Sequence, residues 1–303
     1  MIALIALLLD AAIGWPDPLY RRIGHPVTWM GALIARLDRA MNRGGNRIGR
    51  GMAASLIVIT AAVLPAAILQ AWLGPLAAGV LAWPLVAARS LDDHLRAVAR
   101  PLLADDLPAA RQATAMIVGR DVTRADEPAL ARASIESLSE NASDGVIAPL
   151  FWAVVLGLPG IAAYKAINTL DSMIGHRTPR HDLFGRFAAR LDDATNWLPA
   201  RLTALLIAAT SGDARRSWAA ARRDARAHRS PNAGWPEAAM AGALHVRLSG
   251  PRVYADRVAD EPWLNGSARD PGAADLDRAL AIYRRAVLLA GLVLAVLVLV
   301  RPW

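Results

Sequence analysis

Three short segments of this chain carry carboxylates and carboxamides at spacings suited to holding a cation and a phosphate. The first, 135–149, reads IESLSENASDGVIAP. Glu136 and Glu140 stand four apart, so on a helix they share one face. Glu140 and Asn141 precede Asp144-Gly145, which reads as a turn. The second, 164–175, reads YKAINTLDSMIG and sets Lys165, Asn168 and Asp171 three apart, along one helical stripe. The third, 190–201, reads RLDDATNWLPAR: Asp192, Asp193 and Asn196 fall within about one turn, flanked by Arg190 and Arg201. Hard oxygen ligands of this kind suit Mg2+, which keeps several waters and bridges to phosphate oxygens. Lys165, Arg186, Arg190 and Arg201 supply cations for the phosphates. The competing reading is plain: solvated helix ends and interhelical salt bridges use the same residue types.

Two further segments stand out. Residues 228–244, HRSPNAGWPEAAMAGAL, open with a turn, start a helix near Pro236 and carry small residues that permit close packing or close approach of a ligand. Gly24-His25-Pro26-Val27 is a tight polar corner, where a structural hydrogen bond is the commoner use of a histidine than catalysis. There is no Gly-x-x-x-x-Gly-Lys-Ser/Thr loop, paired Gly-x-Gly-x-x-Gly, His-Glu-x-x-His or Gly-x-Ser-x-Gly. The chain has no cysteine, which excludes disulfides, thiolate metal sites and a thiol nucleophile.

The elements that must position these groups are helices at a membrane. The 303 residues are 55% hydrophobic, and the apolar surplus is gathered in blocks rather than spread as in a soluble core. The blocks are 1–15, 52–73, 74–88, 146–163, 198–210 and 286–300. A full helical span takes about 20 residues. The stretch 52–88 therefore fits two short spans broken at Gly74-Pro75, and 146–163, with Pro149 and a Leu158-Pro159-Gly160 break, fits a re-entrant hairpin. Strand signals are almost absent. The expected fold is all-α, a polytopic membrane helical protein forming one integral-membrane domain over 1–303, with large helical polar segments. Residues 213–228 read as an Ala/Arg-rich helix with no apolar face wide enough for a core.

The net charge is +8, and Lys165 is the one lysine among 34 basic residues. Basic residues number 7 in 16–50, 7 in 89–145, 5 in 164–197 and 13 in 211–285, so the positive-inside rule places all four polar segments in the cytoplasm. The arginines are interleaved with acids, which gives no argument for nucleic acid; the balance suits lipid headgroups and anionic substrates. The N-terminus reads as a retained membrane segment, since it lacks a basic n-region and a cleavage site.

GHPV (24–27), GRDV (119–122), ESLSENASDGVIAPL (136–150), YKAINTLDSMIG (164–175), FGRFAARLDDATNWLPAR (184–201) and SPNAGWPEAAMAGAL (230–244), in that order, resemble the CobD/CbiB family, the adenosylcobinamide-phosphate synthases of cobalamin biosynthesis. The resemblance runs from about residue 10 to about 255. It departs from the family pattern at the Gly-Trp-Pro-Asp-Pro corner and in the 176–183 loop, HRTPRHDL, which more usually contains a Tyr. The resemblance implies a multi-pass inner-membrane enzyme with its active site facing the cytoplasm. That enzyme joins a carboxylate of adenosylcobyric acid to aminopropanol or its phosphate at the expense of ATP. Its implied partners are these substrates, membrane lipid and other cobalamin-assembly enzymes.

A carboxylate is a poor acyl donor, so ATP most simply activates it as an acyl phosphate that the amine attacks. Phosphoryl transfer is mostly positioning and charge neutralisation. On that chemistry Glu140, Asp144, Asp171 and Asp192 are expected to hold Mg2+ and phosphates. Asn141, Asn168 and Asn196 orient them. Lys165, with Arg190 or Arg201, stabilises charge on the transferred group. Glu136 or Asp193 serves as general base for the amine, with Glu140 also counted among the catalytic acids. Two rivals remain: a Mg-dependent membrane prenyltransferase, suggested by Asp192-Asp193-x-x-Asn196, and a non-catalytic scaffold or transporter subunit for corrinoid assembly.

Overall fold

A computed structural model describes residues 1–254, 257–259 and 261–300. It is 77% helical with almost no strand, which agrees with the all-α expectation. The helices are α1 (Ile2–Ile13), α2 (Asp17–Ile23), α3 (Pro26–Met41), α4 (Arg47–Ala82), α5 (Ala88–Leu103), α6 (Leu107–Ala115), α7 (Glu127–Asn141), α8 (Ala148–Ile174), α9 (Arg186–Thr210), α10 (Ala214–Asp224), α11 (Gly234–Leu244) and α12 (Ala273–Val300). Four strands of two or three residues form two antiparallel pairs: β1 (Leu248–Ser249) with β4 (Trp263–Leu264), and β2 (Arg252–Tyr254) with β3 (Arg257–Ala259). Among the described residues, three helical stretches, Arg47–Leu103, Glu127–Ile174 and Ala273–Val300, are long and apolar enough to cross a membrane. A fourth arises if α1 and the following Asp17–Met41, bent by 113°, count together.

The chain forms two compact units, interleaved in sequence. The first is 1–87, 148–196 and 293–303; the second is 88–147 and 197–292.

In the first unit α8 is bent back on itself. Gly157 has φ 69 and ψ −150, a left-handed conformation that glycine adopts at no steric cost. A Cβ on Gly160 would overlap the carbonyl oxygen of Trp152, so the two arms of α8 nearly touch. The break frees a backbone donor at Leu158, and Gln70 of α4 accepts it at 2.7 Å. The sequence expected a break within 146–163, and the structure has one, with an internal partner for the irregular backbone. The break in α4 also falls where the sequence placed it, at Gly74 (φ 74). The core of this unit gathers Ile34, Ala54, Val58, Ala166, Leu170, Ile174, Phe184 and Ala188.

The second unit packs through small residues and arginine–carboxylate pairs. A Cβ on Gly242 of α11 would meet Ala220 and the backbone of α10, and the Ser217 hydroxyl donates to the Ala239 carbonyl at 2.8 Å. Here the sequence reading needs correction. Ser217, Ala220 and Ala221 are buried, so α10 is a core element whose packing surface is small rather than apolar. A second correction concerns Asp144-Gly145. The segment Ala142–Ile147 is π-helical, not a turn, and leads from α7 into α8. Such widened turns are rare and frequent at functional sites.

Candidate active site

The best-formed acidic cluster lies in the first unit, on the second arm of α8 and the start of α9. Asp192 is more than nine-tenths buried. Its Oδ2 accepts from the Asn196 amide at 3.0 Å, and Asn196 Oδ1 in turn accepts from the Tyr164 hydroxyl at 2.8 Å. Tyr164 is almost wholly buried, so this relay fixes the Asn196 amide with its nitrogen toward the acid. Asn168 also approaches the Asp192 carboxylate, while Asp171 and Asp193 add like charge beside it. Yet Asp192 Oδ1 is buried without a hydrogen-bond partner. Asp192 lies ahead of the apolar part of α9, and α9 is not among the helices long and apolar enough to span. Burial, and then the Asp171 carboxylate, push its carboxyl up from the ordinary range.

An orphaned carboxylate oxygen beside a second carboxylate is costly unless a cation or a proton sits there. Two carboxylates with two carboxamides are too few for a protein-only cage, and among the described residues no three His, Asp or Glu side chains gather around one point. Mg2+ needs no such cage, since it is commonly held by one or two carboxylates plus waters and substrate phosphates. Asp171 and Asp192 therefore fit Mg2+ completed by water and phosphate, while Asn196, with its nitrogen on Asp192 and its oxygen on Tyr164, orients the acid rather than ligating.

The structure sorts the remaining candidates by what they touch. Lys165 and Arg190 belong to the same unit; Lys165 is half-buried within electrostatic reach of His25, and Arg190 is exposed. Asp193 is exposed next to the buried Asp192. Glu136, Glu140, Asn141, Asp144 and Arg201 belong to the second unit, so the four-carboxylate metal set is divided between the units. Glu140 is exposed at the end of α7, and Asp144 is half-buried in the π-helical stretch. Asn141 donates to the Ser137 carbonyl at 2.9 Å.

Two of these residues are engaged in structure. Glu136 is buried, ion-paired with Arg120 at 3.1 Å and accepting the Ser249 backbone N–H at 2.8 Å. With one oxygen on each partner, it lacks the freedom a general base needs. Arg201 lies between the rings of Trp197 and Trp235, 4.5 and 4.8 Å from their centres. Its guanidinium donates to Trp197 O, to Asn232 Oδ1 at 3.0 Å and to Pro231 O at 3.4 Å. That arginine holds the 231–232 turn onto α9. His25 is likewise structural: its Nδ1 accepts from Val27 N at 3.2 Å and the Thr28 hydroxyl closes the reciprocal cap of α3.

Sequence reasoning missed three contributors. Tyr164 heads the second motif, but its role through Asn196 depends on a contact across 32 residues. His176 lies within electrostatic reach of Asp171, and Arg177 of Asp193. Both stand in the loop that the resemblance marked as a departure.

The chain matches the family model described as "CobD/Cbib protein" over residues 3–283. It is similar to a "Cobalamin biosynthesis protein CobD" of Rhodobacter capsulatus, 61% identical over 96% of this chain and 94% of the relative. Proteins of the same name in Sinorhizobium fredii and Brucella suis are 45% identical over 99% of the chain and 97% of the relative, and 46% over 96% and 94%. No solved structure matches.

Proposed function

The chain belongs to the CobD/CbiB family, and on that premise we propose that this cobalamin-pathway protein is an ATP-dependent acid–amine ligase. It joins aminopropanol, or its phosphate, to a carboxylate of adenosylcobyric acid. The observation that supports this best is the Asp192 carboxylate, buried with one oxygen unpartnered beside Asp171 and flanked by Asn168 and Asn196. A scaffold has no use for such an arrangement, since isolated buried charge lowers stability.

Magnesium-bound ATP, when present, supplies the phosphoryl group that makes the carboxylate an acyl donor. The chain's own residues supply positioning and charge. Asp171 and Asp192 would hold the metal ion. Asn196, locked by Tyr164, and Asn168 orient Asp192. Lys165 and Arg190 balance negative charge on the phosphates. Asp193, exposed beside the buried acid, takes the proton that the amine loses. The setting is the inner membrane, with the acids on the cytoplasmic face, where the four basic polar segments favour that orientation.

The test uses purified protein in detergent with adenosylcobyric acid, ATP, Mg2+ and either amine, read by mass spectrometry of the corrinoid. The expected product is heavier by the condensed amine and forms only with ATP. A folded protein that yields no product with either amine would refute the ligase reading.

A further inference from the structure

The loop between α8 and α9 is held far more tightly than its position at a surface requires. Its ends are pinched together: a Cβ on Gly185 would overlap the Ile174 carbonyl at the end of α8. Phe184, at the loop's end, is buried in the core of the first unit, with its carbonyl against Gly51 of α4. The middle of the loop is latched to α3. Asp38 Oδ2 accepts from Arg180 Nη2 at 2.6 Å and Nε at 3.2 Å, and His181 Nε2 lies 3.4 Å from its other oxygen. Asn42 donates to Asp38 Oδ1 at 2.8 Å and to the Arg180 carbonyl at 3.1 Å. Arg47, at the start of α4, donates to Asn42 at 2.9 Å and also reaches the Arg180 carbonyl.

This latch uses the loop's cations selectively. Arg180 is spent on Asp38, and His181 packs beside the same carboxylate. His176 and Arg177 are exposed and form no ion pair among the described residues. They nevertheless lie within electrostatic reach of the acidic cluster, His176 of Asp171 and Arg177 of Asp193. A guanidinium held near carboxylates without docking on them is placed to bind an anion that a metal brings to the same carboxylates. Its planar fork matches two phosphate oxygens.

We propose that the 176–183 loop is the phosphate-binding arm of the acidic site, with Arg177 as the principal contact and His176 beside it. The proposal rests on the ligase reading, and the ligand is a phosphate ester bound next to the Asp171–Asp192 pair. Two substrates carry that chemistry, the nucleotide and the phosphorylated amine, and the experiment separates them.

Wild type, Arg177→Gln and Arg177→Lys are compared in detergent for direct binding of two probes, each with Mg2+: a non-hydrolysable ATP analogue and aminopropanol phosphate. Thermal melting is recorded in parallel. The expected result is a loss of affinity of about tenfold or more for one probe in Arg177→Gln, a smaller loss in Arg177→Lys, and unchanged melting. Loss for the nucleotide analogue assigns the arm to ATP; loss confined to aminopropanol phosphate assigns it to the amine and makes the phosphorylated amine the natural substrate. Asp38→Asn, which loosens the latch without touching either cation, is expected to weaken the same probe less. Unchanged affinity for both probes in Arg177→Gln overturns the proposal. If wild type still carries out ligation in that case, the ligase reading stands; if wild type neither binds nor turns over, both fall.

Discussion

Two sets of carboxylates, one drawn from each unit, are treated in opposite ways. In the second unit Glu136 is closed off by Arg120 and the Ser249 amide, Asp270 by Arg132 and Arg247, and Asp92 by Arg284 and Arg96. In the first unit Asp171 and Asp192 stand next to each other, without an ion-pair partner among the described residues, and one oxygen of Asp192 is buried with nothing to accept. Neutralised acids hold elements together; an uncompensated pair is a cost that folding alone does not explain. The difference gives a criterion for function that residue type cannot, because Glu136 and Asp192 look alike in the sequence.

The largest effect expected from this contrast is in turnover. Asp192→Asn is expected to lower ATP-dependent ligation by about two to three orders of magnitude, as when a charge-stabilising group is removed from a site. Melting should hold or rise, because a buried charge has been relieved. A melt that collapses together with activity would erase the contrast.

Much of this site was legible from spacing. Asn168 with Asp171, and Asp192 with Asn196, share helix faces by period alone, and the structure does bring these four together. The bend in α8 and the break in α4 were legible too, because Leu158-Pro159-Gly160 and Gly74-Pro75 punctuate otherwise apolar runs, the α8 bend itself falling one residue earlier, at Gly157. What could not be read was non-local. Glu136 and Asp192 differ only in partners, and the Ser249 amide lies 113 residues from Glu136. The π-helical stretch was hidden behind Asp144-Gly145, a dipeptide that reads as a turn by local rule. The burial of α10 was hidden because its packing face is Ser and Ala.

The opposite member of the comparison gives the next effect. Glu136→Gln should destabilise the second unit by about 3 kcal/mol, since it leaves the partly buried Arg120 without its counter-charge. Protein that remains folded should keep its substrate KM values. A selective fall in kcat with unchanged melting would instead return Glu136 to the list of bases.

A smaller effect tests the positioning of the acids. Gly185→Ala must displace the Ile174 carbonyl and should cost about 1–3 kcal/mol. Denaturant midpoints would show it, and no loss there would mean that the loop ends are not pinched.

The smallest effect is in pH dependence. Hydrogen bonds from Arg247 and Arg132 hold the Asp270 carboxyl below its ordinary value of 3.8. A depressed folded value gives stability that is present above the unfolded pKa and lost as pH falls through the folded one. The Asp270 contribution to melting should therefore be fully present above about pH 5 and be lost below about pH 4. Asp270→Asn should be slightly less stable at neutral pH, with a shallower acid decline.

The most direct test of the central claim sets one acid from each unit side by side. Wild type, Asp192→Asn and Glu136→Gln are assayed for ATP-dependent attachment of the amine to adenosylcobyric acid over a Mg2+ titration, with melting measured on the same samples. The account predicts product from wild type, almost none from a normally melting Asp192→Asn at any Mg2+ concentration, and product from Glu136→Gln in proportion to its folded fraction. Full turnover by Asp192→Asn, with unaltered Mg2+ dependence, would contradict it.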